Sequence, residues 1–190
     1  IVFPGPVKLG SNGVIRVRDA ANDSVVATID CAQFLSYTPG NTSIQEIPNA
    51  SIRSVQGASY YYMPIAIYGN EACLTFSNRF AYNKTYYVNM DAGVLLGTNN
   101  ASTVSITGTN TWRFSTKNSG PATPTTSTGP TNITIGQDGL GDFATFQGAF
   151  DWIPQNNTLR RTIRVKPGIY RDNGTLAQNR NFVTIVGEGA

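Results

Sequence analysis

Three short apolar runs constrain this chain most: Ile133–Ile135, Thr162–Lys166 and Phe182–Val186. Each alternates or is rich in β-branched residues, and each stops at glycine or proline, so each reads as a strand. Between the first two lies Phe143-Ala144-Thr145-Phe146-Gln147-Gly148-Ala149-Phe150-Asp151-Trp152-Ile153. Its apolar residues at 143, 146, 149, 150 and 153 follow helical spacing, and Pro154 ends it. Asp142 is placed to cap that helix. The order is therefore strand, short amphipathic helix, strand, strand.

That order looks like the capped entrance of a parallel β-helix. Three blocks carry a more specific likeness: Asp138-Gly139-Leu140-Gly141-Asp142-Phe143-Ala144-Thr145-Phe146-Gln147, Val165-Lys166-Pro167-Gly168-Ile169-Tyr170-Arg171-Asp172, and Val183-Thr184-Ile185-Val186-Gly187-Glu188-Gly189. In this order they resemble the start of pectin methylesterases. The resemblance implies a right-handed parallel β-helix and hydrolysis of methyl esters of polygalacturonate by carboxylate chemistry, without a cofactor. The family block Gly-x-Tyr-x-Glu stands here as Gly168, Tyr170 and Asp172, with aspartate where glutamate is usual. The family's catalytic carboxylates, glutamines and arginine lie on later coils, so no catalytic residue is assigned in this stretch. Asp172 is expected to brace the first coil, with Tyr170 stacked inside it or at its mouth.

The Asp138–Asp142 loop is rich in glycine, but it has too few carboxylates at the right offsets for calcium and no phosphate-loop lysine. It is expected to be a tight turn. The absence of histidine removes a Ser-His-Asp triad and most zinc sites, so neither a metal nor a cofactor site is expected. A net charge of +3 is too small to propose nucleic acid as a partner, whereas an acidic polysaccharide is compatible with it. Arg160, Arg161, Arg164 and Lys166 read as a solvated strand edge.

The first 116 residues read as one antiparallel β domain. Strands are predicted at Val14–Arg18, Ser24–Ile29, Tyr60–Tyr68, Cys73–Phe76, Thr85–Asn89, Val104–Thr107 and Trp112–Ser115, the first two as a hairpin. About seven short strands point to a β-sandwich of immunoglobulin type. Phe80–Leu95 with Thr111–Thr116, including Thr85-Tyr86-Tyr87-Val88 and Trp112-x-Phe114, resembles the closing half of bacterial-type Ig-like domains. In such domains a strand usually precedes the segment corresponding to Ile1–Val7; Ile1–Phe3 is either its remnant or leaves a sheet edge open for another chain. The tyrosines 60–62, 68, 82, 86 and 87 are expected mostly in the core or at its rim, with a sugar-stacking platform as the alternative. Met63-Pro64 marks an edge strand or a bulge.

Residues 117–131 hold three prolines and no large apolar side chain. They read as a semi-extended linker unable to contribute to a core. The chain thus divides into an Ig-like sandwich (1–116), a Thr/Pro-rich linker (117–131) and the first coil of a parallel β-helix (132–190), all-β apart from the cap helix.

Two clues address the compartment. Cys31 and Cys73, the only cysteines, are expected to form one disulfide rather than two buried thiols; closing a loop of about forty residues would contribute about 3–4 kcal/mol. N-glycosylation sequons occur at Asn22, Asn41, Asn49, Asn83, Asn100, Asn132, Asn156 and Asn173. With no transmembrane run or lipidation motif, a secreted, extracellular or cell-wall glycoprotein is expected, processed or partly covered. Its partners would be pectin or another wall polysaccharide, with no membrane or nucleic acid. The competing reading is a non-catalytic adhesive protein that self-associates into fibres through an open sheet edge and bare solenoid faces, since a single coil cannot bury its stacking faces alone.

Overall fold

The structure is a computed structural model, described here for residues 1–33, 51–55, 58–103, 105–172 and 174–189. Among the described residues its regular elements are β-strands, one 3-10 turn and one short α-helix. The chain divides into two compact units, Ile1–Ser54 with Ser59–Asn118, and Val55–Ala58 with Ser119–Ala190.

As far as Asn118 the strands are β1 (Val7–Leu9), β2 (Val14–Asp19), β3 (Val25–Asp30), β4 (Ser51–Val55), β5 (Ala58–Tyr62), β6 (Ile65–Tyr68), β7 (Glu71–Leu74), β8 (Thr85–Met90), β9 (Leu95–Gly97) and β10 (Arg113–Ser115). Sheet order is β10-β8-β2-β3, beside pairs β1-β9, β4-β5 and β6-β7. The predicted hairpin is present: β2 and β3 run antiparallel with Ile15 opposite Ile29. Alternation in β2 sends Ile15, Val17 and Asp19 inward, where the two apolar residues join Ile29, Tyr86, Val88, Met90 and Leu95. Phe80, Tyr86 and Phe114 stack around one corner at centroid distances of 5.1–5.5 Å. The Trp-x-Phe strand pairs with the Thr-Tyr-Tyr-Val strand, Phe114 opposite Tyr86.

Several expectations are refined here. Pro64 does not bend one long strand but separates β5 from β6, which pair with different partners. Ile106 makes a single bridge to Met90, and Val104 lies outside the described residues. Ile1–Phe3 does not leave β7 bare on its side: Val2 pairs antiparallel with Glu71, and Ile1 and Ala72 exchange main-chain hydrogen bonds at 2.8 Å. The disulfide is corrected outright. Cys31 and Cys73 are unbridged thiols: Cys31 is buried in the 3-10 turn after β3, and Cys73 lies opposite Ala66 in the β6–β7 pair.

In the second unit, β11 (Asn132–Ile135), β12 (Arg161–Val165) and β13 (Val183–Gly187) form a three-stranded sheet in sequence order. Both pairings are parallel, a geometry that requires long crossovers between the strands rather than hairpins. The register places Ile133, Ile163 and Ile185 in one row. The first two are 1% and 0% exposed, and Ile185, on the last strand, is 49% exposed. Helix α1 (Phe146–Trp152) packs Ala149 and Phe150 against this row, with Ile153 at its end. Asp142 is not its cap. Thr145 is, its Oγ1 accepting from the N–H of Gly148, while the helix starts too late for Asp142 to reach. Asp142 instead binds the N–H and hydroxyl of Thr134 at 2.8 and 2.9 Å, closing the glycine-rich turn onto β11. Gly141 backs onto Gly136 so closely that a Cβ there would lie 2.4 Å from the Gly136 nitrogen.

The stretch read as a linker is bonded into this unit. Pro124 is buried, the indole N–H of Trp152 donates to the Ala122 carbonyl at 3.0 Å, and Thr162 N–H donates to the Thr131 carbonyl at 2.7 Å. Counting large apolar residues underrates such a segment, because main-chain carbonyls and prolines do the packing.

Candidate functional site

The residues carrying the family motif converge where β12 turns toward helix α1. Gly168 leaves room for the Tyr170 ring, which would lie 3.3 Å from a Cβ added there. The ring stands edge-on to Phe146 at 5.5 Å, and its hydroxyl donates to the Lys166 carbonyl at 2.8 Å. Two residues on, the Asp172 carboxylate accepts the N–H of Phe146, the first residue of α1. With Thr145 on Gly148, this satisfies two of the N–H groups that a helix start leaves without partners. A negative charge there also suits the helix dipole.

Residues 132–189 hold five carboxylates: Asp138, Asp142, Asp151, Asp172 and Glu188. Asp138 binds Leu140 N–H at 2.9 Å and Lys166 at 3.4 Å. Its carboxyl is held below the ordinary range, chiefly by the Leu140 N–H and then by the lysine charge. Asp151 receives the Gln147 amide at 2.8 Å and lies 3.8 Å from Arg180. Glu188 lies 3.8 Å from Arg164. Ester hydrolysis by carboxylates needs a nucleophile or base and an acid within reach of one reacting atom. Here each carboxylate is engaged by a different part of the coil. No three His, Cys, Asp or Glu among the described residues cluster as a metal site would require. The arrangement holds a helix and two turns.

The expectation of a solvated strand edge fails at Arg161, whose role sequence reasoning missed: it is fully buried. Its guanidinium lies 5.6 Å over the Trp152 ring, and burial lowers its pKa. Alternation contained the signal, because Arg161 shares the inward face of β12 with Ile163. Gln147 was also missed: its side-chain amide spans Thr175, accepting its N–H at 2.7 Å.

Elsewhere, Asn22, Asn83, Asn100, Asn132 and Asn156 are exposed, and Asn83, Asn100 and Asn156 occupy left-handed turns. Asn41, Asn49 and Asn173 lie outside the described residues. Of the tyrosines, 62, 86 and 87 are buried and 61, 68 and 82 exposed. A cavity of about 180 Å³ beside Tyr62, Asp30 and Gln33 is smaller than ligand pockets usually are. No helix is long and apolar enough to cross a membrane among the described residues.

Comparison with known proteins bears on the second unit alone. Residues 132–190 match the family model described as Pectinesterase. Pectinesterase 31 of Arabidopsis thaliana is 42% identical over 55 residues, 29% of this chain and 17% of that protein. Probable pectinesterase 55 of the same plant is 43% identical over 60 residues, 32% of this chain and 18% of it. A pectinesterase of Daucus carota is 31% identical over 58 residues, again 18% of its length. The matched stretch thus spans less than a fifth of these relatives. No solved structure matches the chain significantly. The parallel strands, the capped helix and the Gly168–Tyr170–Asp172 corner lie in the matched stretch, and residues 132–190 are a pectinesterase-like segment.

Proposed function

We propose that this chain is the N-terminal portion of a secreted pectin methylesterase-like protein acting on cell-wall polysaccharide, with the catalytic residues downstream of Ala190. The observation that carries the reading is the family match over residues 132–190 together with the structural engagement of every carboxylate in that stretch. In this reading residues 132–190 are the opening coil of a right-handed parallel β-helix, supported by the parallel register and the isoleucine row. Residues 1–116 are an Ig-like sandwich serving as spacer or wall-binding module. Secretion and glycosylation rest on the exposed sequons, since the unbridged cysteines withdraw the redox argument. The substrate is methyl-esterified polygalacturonate, and no cofactor is required. The test is methanol release from that polymer. The native protein should release it, and the 190-residue chain alone should not. Turnover by the short chain would contradict the placement of the chemistry, and inactivity of the native protein would contradict the esterase reading.

One observation favours a second reading, a non-catalytic adhesive glycoprotein that self-associates. Phe182, Ile185 and Val186, at and beside β13, are 53%, 49% and 38% exposed. Apolar side chains exposed beside a sheet edge offer a surface on which another chain can pack. Concentration-dependent association of an inactive native protein would support this alternative.

A further inference from the structure

We infer that residues 122–131 form a strap fastened by Arg161 across the starts of β11 and β12, making this Thr/Pro-rich stretch a folded part of the coil and not a spacer. Arg161 is 0% exposed. Its Nε donates to Asn157 Oδ1 at 3.2 Å, Nη1 to the Pro130 carbonyl, and Nη2 to the carbonyls of Thr125 and Thr128 at 2.7 and 2.9 Å. Three of these four acceptors are main-chain oxygens of the strap. Carbonyl dipoles of residues 125–130 therefore solvate the buried charge, which is paired with no carboxylate among the contacts described.

The strap is shaped to present those oxygens. Thr125 and Thr128 close a turn through their hydroxyls at 2.6 Å, with Thr128 N–H on Thr125 Oγ1 at 3.0 Å. Gly129 sits at φ +94°, so close to Pro124 that a Cβ would lie 2.9 Å from the proline Cα. The coil side grips the same segment independently: Thr158 donates its N–H and hydroxyl to the Thr126 carbonyl at 2.8 and 3.1 Å. Releasing the strap would leave a buried guanidinium with one of its four acceptors, so strap and coil are coupled. Lysine cannot replace this arrangement, because a compact ammonium lacks the planar fork that reaches carbonyls on both sides.

Amide hydrogen exchange on the 190-residue chain tests this. The N–H groups of Thr125, Thr128 and Thr158 should exchange at least about tenfold more slowly than in an unstructured chain. Arg161→Lys should accelerate all three about tenfold or more while amides of β12 and β13 keep their protection. Gly129→Ala strains the strap's own turn without altering the coil, and should accelerate the same three should Arg161→Lys fail to fold. Exchange of the three at the unstructured rate in the parent chain would overturn the proposal. So would folded variants whose strap amides stay as slow as the parent's.

Discussion

The carboxylate of Asp172 accepts the main-chain N–H of Phe146 at 2.5 Å, across 26 residues of sequence. The aspartate of the Gly-x-Tyr-x-Asp block is thus the brace that fixes the start of helix α1 against the coil. Asp172→Ala is expected to lower the stability of the second unit by about 1–2 kcal/mol, the usual cost of losing a helix-start acceptor. Asp172→Asn retains an oxygen acceptor and should lose less. Urea unfolding followed by Trp152 fluorescence in a Trp112→Phe background measures both; an unchanged midpoint in Asp172→Ala would remove the brace.

The isoleucine row gives a graded expectation. Ile163 is fully buried and Ile185 is half exposed in the same row. Ile163→Ala should cost about 2–5 kcal/mol, as large-to-small changes in a core do. Ile185→Ala in the same 190-residue chain should cost far less, because much of its surface is already in water. Equal losses would mean that Ile185 is covered.

Cys31 has its thiol pushed up to about 11, first by burial and then by the charge of Asp30. At pH 8 roughly one molecule in a thousand would carry the thiolate, the reactive form. Cys31 should therefore resist thiol reagents in the folded protein. In denaturant without reductant both Cys31 and Cys73 should be labelled. Failure of both to label under those conditions would restore the disulfide.

Asp19 and Lys84 give the first unit a pH dependence. Asp19 is buried at the inner end of β2, and its carboxylate accepts Ala21 N–H and the Lys84 ammonium, each at 2.9 Å. The Ala21 N–H, then Lys84, hold its pKa below the ordinary value, and Asp19 raises that of Lys84. A lowered carboxyl pKa stabilises the fold above the unfolded value of about 4 and loses that contribution as pH falls through the folded value. The raised lysine pKa stabilises below about 10.4 and loses its contribution as pH rises through the folded value. The drop in melting temperature between pH 7 and pH 2.5 should be smaller in Asp19→Asn than in the parent. Equal drops would show that the contact carries no linkage.

Period-two alternation made β2, β3, β8 and the three parallel strands legible, because each buries one face. The apolar spacing from 143 to 153 likewise located the helix. Its start was misplaced, since Asp142 and Thr145 are both good caps and only the fold decides which one faces an open N–H. The short strands β1, β4 and β9 escaped notice because a pairing of three to five residues leaves little pattern. The role of 122–131 was invisible for a different reason. Its partners are carbonyl oxygens, which every residue has, and the one sequence mark was a charged residue on the inward face of β12.

The most direct test of the account is the intact mass of the protein isolated from its native source after enzymatic deglycosylation. The account predicts a mass well above the 20.4 kDa of this chain, with further coils stacked on β13. A mass near 20.4 kDa would contradict it, leaving the exposed edge at Ile185 and Val186 to be covered by another subunit.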